Sequence, residues 1–295
     1  MMQIWETVSR HISSVTGIPF VIRSSRAVGG GCINTAYVIQ DLDREYFVKL
    51  NDVNRIDMFS AECSGLDEIV KSHTIRVPHP ICCGTTDATS YIVMEYIASA
   101  NANHDTYLAL GQRLADMHSV THQYFGWNIN NTIGSTPQIN TRTDDWIRFW
   151  RENRLGYQLE LAGRNGYGRE LQARGDQLLQ QFPALFTDYR PVPSLLHGDL
   201  WSGNYAIDSD GNPYIFDPAV YYGDRETDIA MTELFGGFPV QFYQTYSDVY
   251  PLDNGYGTRK KLYNLYHILN HLNLFGGGYL AQARQMIDSL LSETG

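Results

Sequence analysis

Two short segments of the sequence combine carboxylate and amide side chains at a spacing that suits phosphoryl transfer. The segment HGDLWSGN contains Asp199 and Asn204, and Asp217 follows the apolar residues 214–216. Phosphoryl transfer requires a carboxylate that orients the attacking hydroxyl and oxygen ligands that hold Mg²⁺ against the phosphates. We predict Asp199 as the catalytic residue, with Asn204 and Asp217 as ligands of Mg²⁺, because this ion prefers hard oxygen donors.

Each of these residues also has an ordinary structural explanation. A His-Gly-Asp tripeptide is most often a solvated turn, Asn204 suits a turn, and Asp217 could cap the turn made by Pro218. Separate turns do not explain the order and spacing of the three side chains. A hairpin through the SDGN turn at 209–212 would bring Asn204 and Asp217 together.

A lysine and a glutamate in the N-terminal third are predicted to form an ion pair. Lys49 shares a strand face with Phe47, because successive side chains of a strand point to opposite faces. Glu62 lies on the apolar stripe of a predicted helix at 57–70, where an unpaired carboxylate is costly. The functional interpretation is a pair that aligns the phosphates of ATP. The alternatives are a snorkelling lysine and a glutamate at the edge of the stripe.

A glycine triplet lies between two predicted strands at 20–28 and 33–40. It consists of Gly29, Gly30 and Gly31. The surrounding segment lacks the G-x-x-x-x-G-K-[ST] pattern and does not open a helix, so it is neither a Walker A loop nor a dinucleotide-binding loop. It suits a loop that covers the phosphates of ATP, and an ordinary hairpin turn is the alternative.

The strand predicted at 91–97 leads into a segment that could bind the adenine base. Its last residues are Glu95, Tyr96 and Ile97. Their backbone groups would hydrogen-bond adenine if this segment connects two lobes. Side chains carry little information there, so this prediction depends on position in the chain.

Hydrophobic periodicity predicts an α+β protein with two lobes. Residues 1–97 read as a leading helix, the glycine-rich loop and an antiparallel sheet with one inserted helix, which would cover ATP. Residues 98–295 read as mainly helical, with a short β-rich insert at 195–216, and would hold the catalytic loop, the metal site and the substrate site. One helix inserted in a small antiparallel sheet is typical of the protein-kinase-like fold.

Composition excludes several other classes of protein. The 295 residues carry 22 Lys and Arg against 32 Asp and Glu, without a basic stripe, so we expect no nucleic-acid partner. No apolar run approaches the roughly 20 residues needed to cross a bilayer, so we expect no membrane partner. The four cysteines have no metal-ligand spacing, which favours a reducing, cytoplasmic location.

HGDLWSGN, together with residues 216–238 and 265–279, resembles the fructosamine kinase or ketosamine-3-kinase family, within the aminoglycoside-phosphotransferase-like kinases. The resemblance covers essentially the full chain, and GDLWSGN, YYGDRE and FGGF are its more specific parts. It places the catalytic and metal-binding roles on the same three side chains predicted above. It also implies that Asp228 braces the catalytic loop, although an acid in the first turn of a helix is often only a dipole partner.

The resemblance implies transfer of the ATP γ-phosphoryl group to the 3-hydroxyl of a ribulosamine or fructosamine, free or protein-bound, in protein deglycation. ATP and Mg²⁺ are the implied cofactors. The alternatives are another hydroxyl acceptor, of the aminoglycoside, choline or homoserine type, and a catalytically silent nucleotide-binding regulatory module. Trp201 and His271 are the expected contacts of the sugar, while His267 and His271 could instead be packed helix histidines.

Cys32 directly follows the glycine triplet. The backbone N–H groups of a phosphate-binding loop would stabilise a thiolate there. We therefore predict that Cys32 is oxidisable and can link two chains, which makes the protein a monomer or a redox-dependent homodimer.

Overall fold

The N-terminal part of the molecule is built on one antiparallel sheet of five strands. The computed structural model describes residues 2–29, 33–102 and 104–294. The strands are β1 (Ser24–Val28), β2 (Thr35–Gln40), β3 (Glu45–Asp52), β4 (Pro80–Thr85) and β5 (Thr89–Glu95). Their order across the sheet is β1-β2-β3-β5-β4, which places Lys49 of β3 in the middle of the sheet.

One helix packs on each face of this sheet. Helix α1 (Met2–Thr16) joins the core on the face that contains Val93 of β5. Helix α2 (Ile56–Ser72) lies between β3 and β4 in sequence and packs on the face that contains Ile92. The side chains of Ile92 and Val93 point to opposite faces of the sheet, as expected for successive residues of a strand. We call the face that contains Ile92 the inner face. Because α2 packs on this face, its Glu62 can contact Lys49.

The rest of the chain is mainly helical and forms one large apolar core with the inner face of the sheet. Its helices are α3 (His104–His118), α4 (Trp146–Trp150), α5 (Gly156–Arg164), α6 (Arg169–Gln181), α7 (Glu226–Leu234), α8 (Val240–Val249), α9 (Tyr256–Phe275) and α10 (Leu280–Thr294). The helix predicted over 144–161 is present as α4 and α5, joined by a π-helical turn at 151–155. A sheet followed by helices confirms the predicted α+β class.

Three short antiparallel strand pairs lie around two loops, residues 197–204 and 216–220, which we call the two polar loops. They are β6 (Asn131–Ile133) with β7 (Thr136–Gln138), β8 (Ser194–Leu196) with β11 (Tyr221–Gly223), and β9 (Tyr205–Ile207) with β10 (Pro213–Ile215). HGDLWSGN connects β8 to β9, and residues 216–220 connect β10 to β11. Since the four flanking strands form two pairs, both loops emerge at the same end.

Polar contacts join the sheet to the helical part. Arg76, which precedes β4, pairs with Glu95 at 2.8 Å and with Asp208 in the turn between β9 and β10. The hydroxyl of Tyr222 donates to Glu68 of α2 at 2.8 Å. These contacts hold the sheet and α2 against the part of the chain that carries the two polar loops. Among the residues that the structure describes, no helix has both the length and the apolar character to span a membrane.

Candidate active site

A cavity of about 910 Å³ lies between the inner face of the sheet and the two polar loops. Every predicted site residue that the structure describes lines it. These residues are Gly29, Lys49, Glu62, Glu95, Tyr96, Ile97, Asp199, Trp201, Asn204, Asp217 and His271. Gly30, Gly31 and Cys32 lie outside the described residues. The fold therefore brings positions more than 200 residues apart in sequence to one cleft.

Lys49 lies between two carboxylates at the sheet side of the cavity. Its Nζ is 2.6 Å from Oε1 of Glu62, and it also contacts Asp217. Burial alone would lower the pKa of Lys49, but the charges of Asp217 and Glu62 overcome this effect and raise it. The predicted contact with Glu62 is thus present, and the ammonium is held in its charged form.

Asp199 lies in the loop between β8 and β9, with its carboxylate in the cavity wall. Burial, and then the nearby carboxylates of Asp217 and Asp228, raise the pKa of Asp199 to about 7. The side-chain amide of Asn204 donates to the backbone carbonyl of Asp199 at 2.9 Å and more weakly to its carboxylate at 3.4 Å. A carboxylate with a pKa near neutrality is suited to accept a proton from a hydroxyl.

The oxygen atoms of Asn204 and Asp217 fit a magnesium ion. Asn204 uses its nitrogen for Asp199, so its side-chain oxygen can serve as a ligand. The Asp217 side chain is 44% exposed, toward the cavity. Mg²⁺ in nucleotide sites takes one or two carboxylates and completes its shell with phosphate oxygens and water. Within the described ranges no three His, Cys, Asp or Glu side chains cluster as a metal site.

The backbone of Asp217 has an unusual conformation, with φ of 59°. A non-glycine residue in this left-handed region is uncommon and is maintained only by its surroundings. The flanking Phe216 supplies part of that support, since its N–H donates to the carbonyl of Asn204 at 3.0 Å. Its carbonyl accepts from Nε2 of His197 at 2.9 Å. The loop before Asp217 is therefore fastened to the loop that carries Asp199.

Asp228, in the first turn of α7, contacts the backbone of residues 197–204, the predicted catalytic loop. Its carboxylate accepts from the N–H of His197 at 2.7 Å and of Gly198 at 2.8 Å. Burial would raise the pKa of Asp228, but the hydrogen bonds and the neighbouring imidazoles lower it. His118 of α3 adds a bond to the same carboxylate at 3.2 Å. The bracing contact implied by the family resemblance is present, and His118 is a supporting residue that sequence reasoning missed.

The catalytic loop and the following loop approach each other closely at Gly198. This residue has φ of 82°, and a Cβ atom there would lie 2.2 Å from the carbonyl oxygen of Ala219. The N–H of Ala219 donates to the carbonyl of His197 at 2.8 Å. Only glycine permits both the backbone conformation and the close approach.

Five of the residues that line the cavity carry rings that contact one another, and we call them the aromatic wall: Trp201, Phe235, His271, Phe275 and Tyr279. Trp201 is 37% exposed and contacts Phe235 edge-on, with ring centroids 6.3 Å apart. Phe235 lies 5.0 Å from the ring of His271, which also contacts Phe275 and Tyr279. The two predicted sugar contacts thus belong to one surface. The sequence segments that resemble the family contain the other three aromatic residues, but periodicity alone does not assign them to the site.

The imidazole of His271 is fixed by its own helix. Nδ1 of His271 donates to the carbonyl of His267 at 2.7 Å, which leaves Nε2 as an acceptor. Burial lowers the pKa of His271, so the ring is neutral near pH 7. His267 is 4% exposed and also lines the cavity.

The segment after β5 only partly suits the predicted adenine contacts. The N–H of Glu95 donates to the carbonyl of His79 at 2.8 Å, so this group is already used. The carboxylate of Glu95 binds Arg76. Tyr96 and Ile97 also line the cavity, and the hydroxyl of Tyr96 accepts from Arg26 at 2.8 Å. The carbonyl of Ile97 accepts from the hydroxyl of Tyr214 at 3.4 Å. Adenine recognition would therefore use the carbonyl of Glu95, the backbone of Tyr96 and the N–H of Ile97.

The sheet with its inserted helix, the Lys49–Glu62 pair and the two polar loops define a phosphotransferase with the protein-kinase-like fold. A sequence profile described as fructosamine kinase matches residues 4–293, and the chain belongs to this family. The resemblance found in the sequence is thereby confirmed.

Relatives and solved structures agree with this assignment. A Synechocystis protein assigned as a ketoamine kinase is 50% identical over 288 residues, which cover 97% of each chain. The chloroplastic protein-ribulosamine 3-kinase of Arabidopsis thaliana is 46% identical over 269 residues, 90% of this chain and 82% of the relative. A crystal structure assigned as a fructosamine-3-kinase from Haemophilus somnus superposes with a TM-score of 0.90 at 29% identity and 97% coverage of both chains.

A more distant solved structure shares the fold alone. The aminoglycoside phosphotransferase APH(4)-Ia, bound to AMP-PNP and hygromycin B, has a TM-score of 0.63 at 14% identity. The superposition covers 97% of this chain and 98% of that structure.

Proposed function

We propose that this protein transfers the γ-phosphoryl group of ATP to the 3-hydroxyl of ketosamines, either ribulosamine or fructosamine, free or protein-bound. The observation that carries this proposal is one cavity that is lined by Lys49 and Glu62, by Asp199 and by the aromatic wall. We assign the part at Lys49 as its nucleotide end and the part at the aromatic wall as its acceptor end. Family membership and the names of the relatives supply the substrate class. Removal of the sugar from glycated amines or proteins would follow from this phosphorylation.

The nucleotide end holds ATP through groups of both the sheet and the loops. Lys49 would contact the phosphates, oriented by Glu62, while the loop of Gly29, Gly30 and Gly31 covers them. Asn204 and Asp217 would hold Mg²⁺, which supplies positive charge to the phosphate oxygens. Lys49 now bridges Glu62 and Asp217, so ATP would take the place of the Asp217 contact.

At the reacting centre, Asp199 orients the 3-hydroxyl of the acceptor and accepts its proton. The acceptor oxygen forms a bond to the γ-phosphorus as the bond from that phosphorus to the β–γ bridging oxygen breaks, and ADP leaves. A positioned base of this kind contributes about 10²–10⁴-fold to the rate. The raised pKa of Asp199 belongs to the protein before the metal–nucleotide complex binds, and the charge of the bound metal would favour the ionised carboxylate that accepts the proton.

The acceptor end favours a ketosamine over a polycationic sugar. The aromatic wall offers the Trp201 ring as a flat platform for the sugar and Nε2 of His271 as a hydrogen-bond acceptor. Among the described lining residues the carboxylates are Glu62, Glu95, Asp199 and Asp217. Glu62, Asp217 and Glu95 already pair with Lys49 or Arg76, and Asp199 serves the reacting hydroxyl, so few charges remain for an acceptor with several ammonium groups.

Several further properties belong to the same proposal. We place the protein in the cytoplasm and expect no nucleic-acid or membrane partner. We also propose that the chain forms two lobes, residues 1–97 and 98–295. It would act as a monomer that becomes a homodimer when Cys32 is oxidised. Non-reducing electrophoresis of peroxide-treated protein tests this point, and a Cys32→Ala variant that still forms the dimer would contradict it.

The acceptor class is tested by kinetic comparison. With ATP and Mg²⁺, kcat/KM for a ribulosamine or fructosamine should exceed that for an aminoglycoside, choline or homoserine by at least about 10²-fold. Choline and homoserine offer no sugar to the aromatic wall, and the cavity has few free carboxylates for the ammonium groups of an aminoglycoside. A preference for one of the other alcohols would overturn the substrate class while leaving the kinase assignment intact. ATP hydrolysis without any phosphorylated acceptor would instead favour the regulatory module.

A further inference from the structure

Two buried side-chain amides from the β6–β7 hairpin hold the loop that follows Asp217. The nitrogen of Gln138 donates to the carbonyl of Ala219 at 3.1 Å, and the nitrogen of Asn131 donates to the carbonyl of Val220 at 2.8 Å. The nitrogen of Gln138 also donates to the side-chain oxygen of Asn131 at 2.8 Å. Asn131 and Gln138 face each other across the hairpin, and we call this pair the amide clamp.

We propose that the amide clamp positions Asp217 for its metal ion and thereby sets the affinity for the metal–nucleotide complex. This role rests on the proposed function, because it assumes that Asp217 is a ligand of Mg²⁺. Neither amide is a catalytic residue: the clamp acts through two backbone carbonyls. It differs from the supports at Phe216 and Asp228, which fasten the loops on their other sides.

The clamp is itself fixed by buried polar partners. The hydroxyl of Tyr266 of α9 donates to the oxygen of Gln138 at 2.8 Å. The amide nitrogen of Asn140 donates to the oxygen of Asn131 at 3.0 Å. Gln138 and Asn140 are each 1% exposed, so water cannot replace these bonds without rearrangement. Gln138 therefore donates two hydrogen bonds and accepts one, whereas Asn131 donates one and accepts two, so the orientation of both amides is determined.

A fully buried arginine completes the support. Arg154 is 0% exposed and donates to the side-chain oxygen of Asn140 at 2.8 Å and to the carbonyl of Ile139 at 2.6 Å. Its guanidinium lies 4.1 Å from the ring centroid of Tyr221. In the part of the chain that the structure describes, no carboxylate pairs with it. These oxygens and the ring face hold the guanidinium, although its Nε has no hydrogen-bond partner among the described residues. Arg154 thereby fixes Asn140, which donates to Asn131 of the clamp.

Rigidity matters at this loop because Asp217 has a strained backbone. Its φ of 59° persists only while the neighbouring residues are held in place. On one side Phe216 is bonded to the catalytic loop. On the other side, the carbonyls of Ala219 and Val220 depend on the clamp. Loss of the clamp would leave buried carbonyls without donors and allow the loop to relax, which moves the carboxylate away from the position it takes beside Lys49.

The test replaces one amide without changing the side-chain volume and measures nucleotide binding directly. We expect Gln138→Met to bind ADP with Mg²⁺ about tenfold more weakly than the unaltered protein, by titration calorimetry, and to bind ADP in EDTA with unchanged affinity. The matched control is Ser90→Ala, which removes a hydrogen bond from a residue that is also buried but lies in the sheet. It should leave both affinities unchanged.

Tyr266→Phe provides a milder second variant. It removes only the hydroxyl that orients Gln138, so it should fold and weaken binding of ADP with Mg²⁺ by about threefold. Equal affinities of both variants and the unaltered protein, with and without Mg²⁺, would overturn the clamp while the proposed kinase function stands. If Mg²⁺ fails to strengthen ADP binding even in the unaltered protein, the metal ligands of the proposed function are wrong and the clamp fails with them. Equal weakening in Mg²⁺ and in EDTA would show a purely structural role.

Discussion

At the residue scale, the protonation of Asp199 links the structure to a measurable property. Burial and two neighbouring carboxylates raise the pKa of Asp199 to about 7, so in the ligand-free protein it is mostly protonated below that pH and mostly ionised above it. A divalent cation nearby favours the ionised carboxylate. Binding of the magnesium–nucleotide complex should therefore expel the proton.

The expected result is a pH-dependent release of protons on binding. At pH 6 about nine-tenths of Asp199 is protonated in the free protein, so binding of ADP with Mg²⁺ should release up to about 0.9 proton more than in an Asp199→Asn variant. At pH 8.5 the difference should nearly vanish. Calorimetry in buffers of different ionisation enthalpy measures it. The same proton count in both proteins at pH 6 would contradict the raised pKa.

Sequence and resemblance together could predict many of the residues that face the cavity but, apart from Asp228, not those that support them. Asp199, Asn204 and Asp217 were predictable because their chemistry and spacing are local to one segment of about twenty residues. His118 and Gln138 were not, since each acts on a loop about 80 residues or more away in sequence and has no distinctive neighbours. Only the folded chain shows which buried histidine or glutamine touches a functional loop.

At the element scale, the two polar loops depend on each other through Gly198. A side chain there would require φ of 82° and would place a Cβ atom 2.2 Å from the carbonyl oxygen of Ala219. We expect Gly198→Ala to lower the free energy of unfolding by at least about 2 kcal/mol, of which backbone strain supplies about 1–2 kcal/mol. Because both loops must shift, kcat should also fall by more than about tenfold.

Gly166→Ala is the matched control for this substitution. Gly166 has φ of 86°, but a Cβ atom there would have nothing within 4 Å. It should therefore show the strain alone and keep its activity. Chemical denaturation and steady-state kinetics compare the two variants. If the two variants lose the same free energy of unfolding and both keep their activity, the close approach of the loops is not needed for activity.

Several elements were beyond prediction from periodicity. The β6–β7 hairpin has strands of three residues, too short for an alternating pattern to be recognised. The π-helical turn at 151–155 lies inside a continuous helical pattern, and α10 follows a glycine-rich turn without a strong start signal. The longer strands of the sheet and the helices that pack on it were predictable, because their apolar residues recur with a clear period over five or more residues.

At the scale of the whole molecule, the cavity exists because the sheet and the helical part are held face to face. Arg76 bonds residues on both sides, and Tyr222 bonds Glu68 of α2. The α+β class was predictable from the change in periodicity along the chain. A lobe boundary between residues 97 and 98 stays a prediction. The contacts of Arg76 were not predictable, because an exposed arginine gives no sign of its partners.

The acceptor end depends on the same large-scale arrangement. Trp201 comes from the catalytic loop, Phe235 from the end of α7 and His271 from α9. Their rings meet only because α7 and α9 pack together behind the loops. Under the proposed function, substrate selection would be a property of the assembled helical part, while phosphoryl transfer would depend on the two loops and the sheet.

The most direct test of the central claim is identification of the phosphorylated atom. The protein, ATP, Mg²⁺ and a ribulosamine are incubated together, and the product is analysed by ³¹P and ¹H NMR. We predict a phosphate ester whose phosphorus couples to the proton on carbon 3, with ADP formed in equal amount and at least about 10²-fold slower formation by Asp199→Asn. A phosphate on another atom, no ester at all, or full activity of Asp199→Asn would contradict the account.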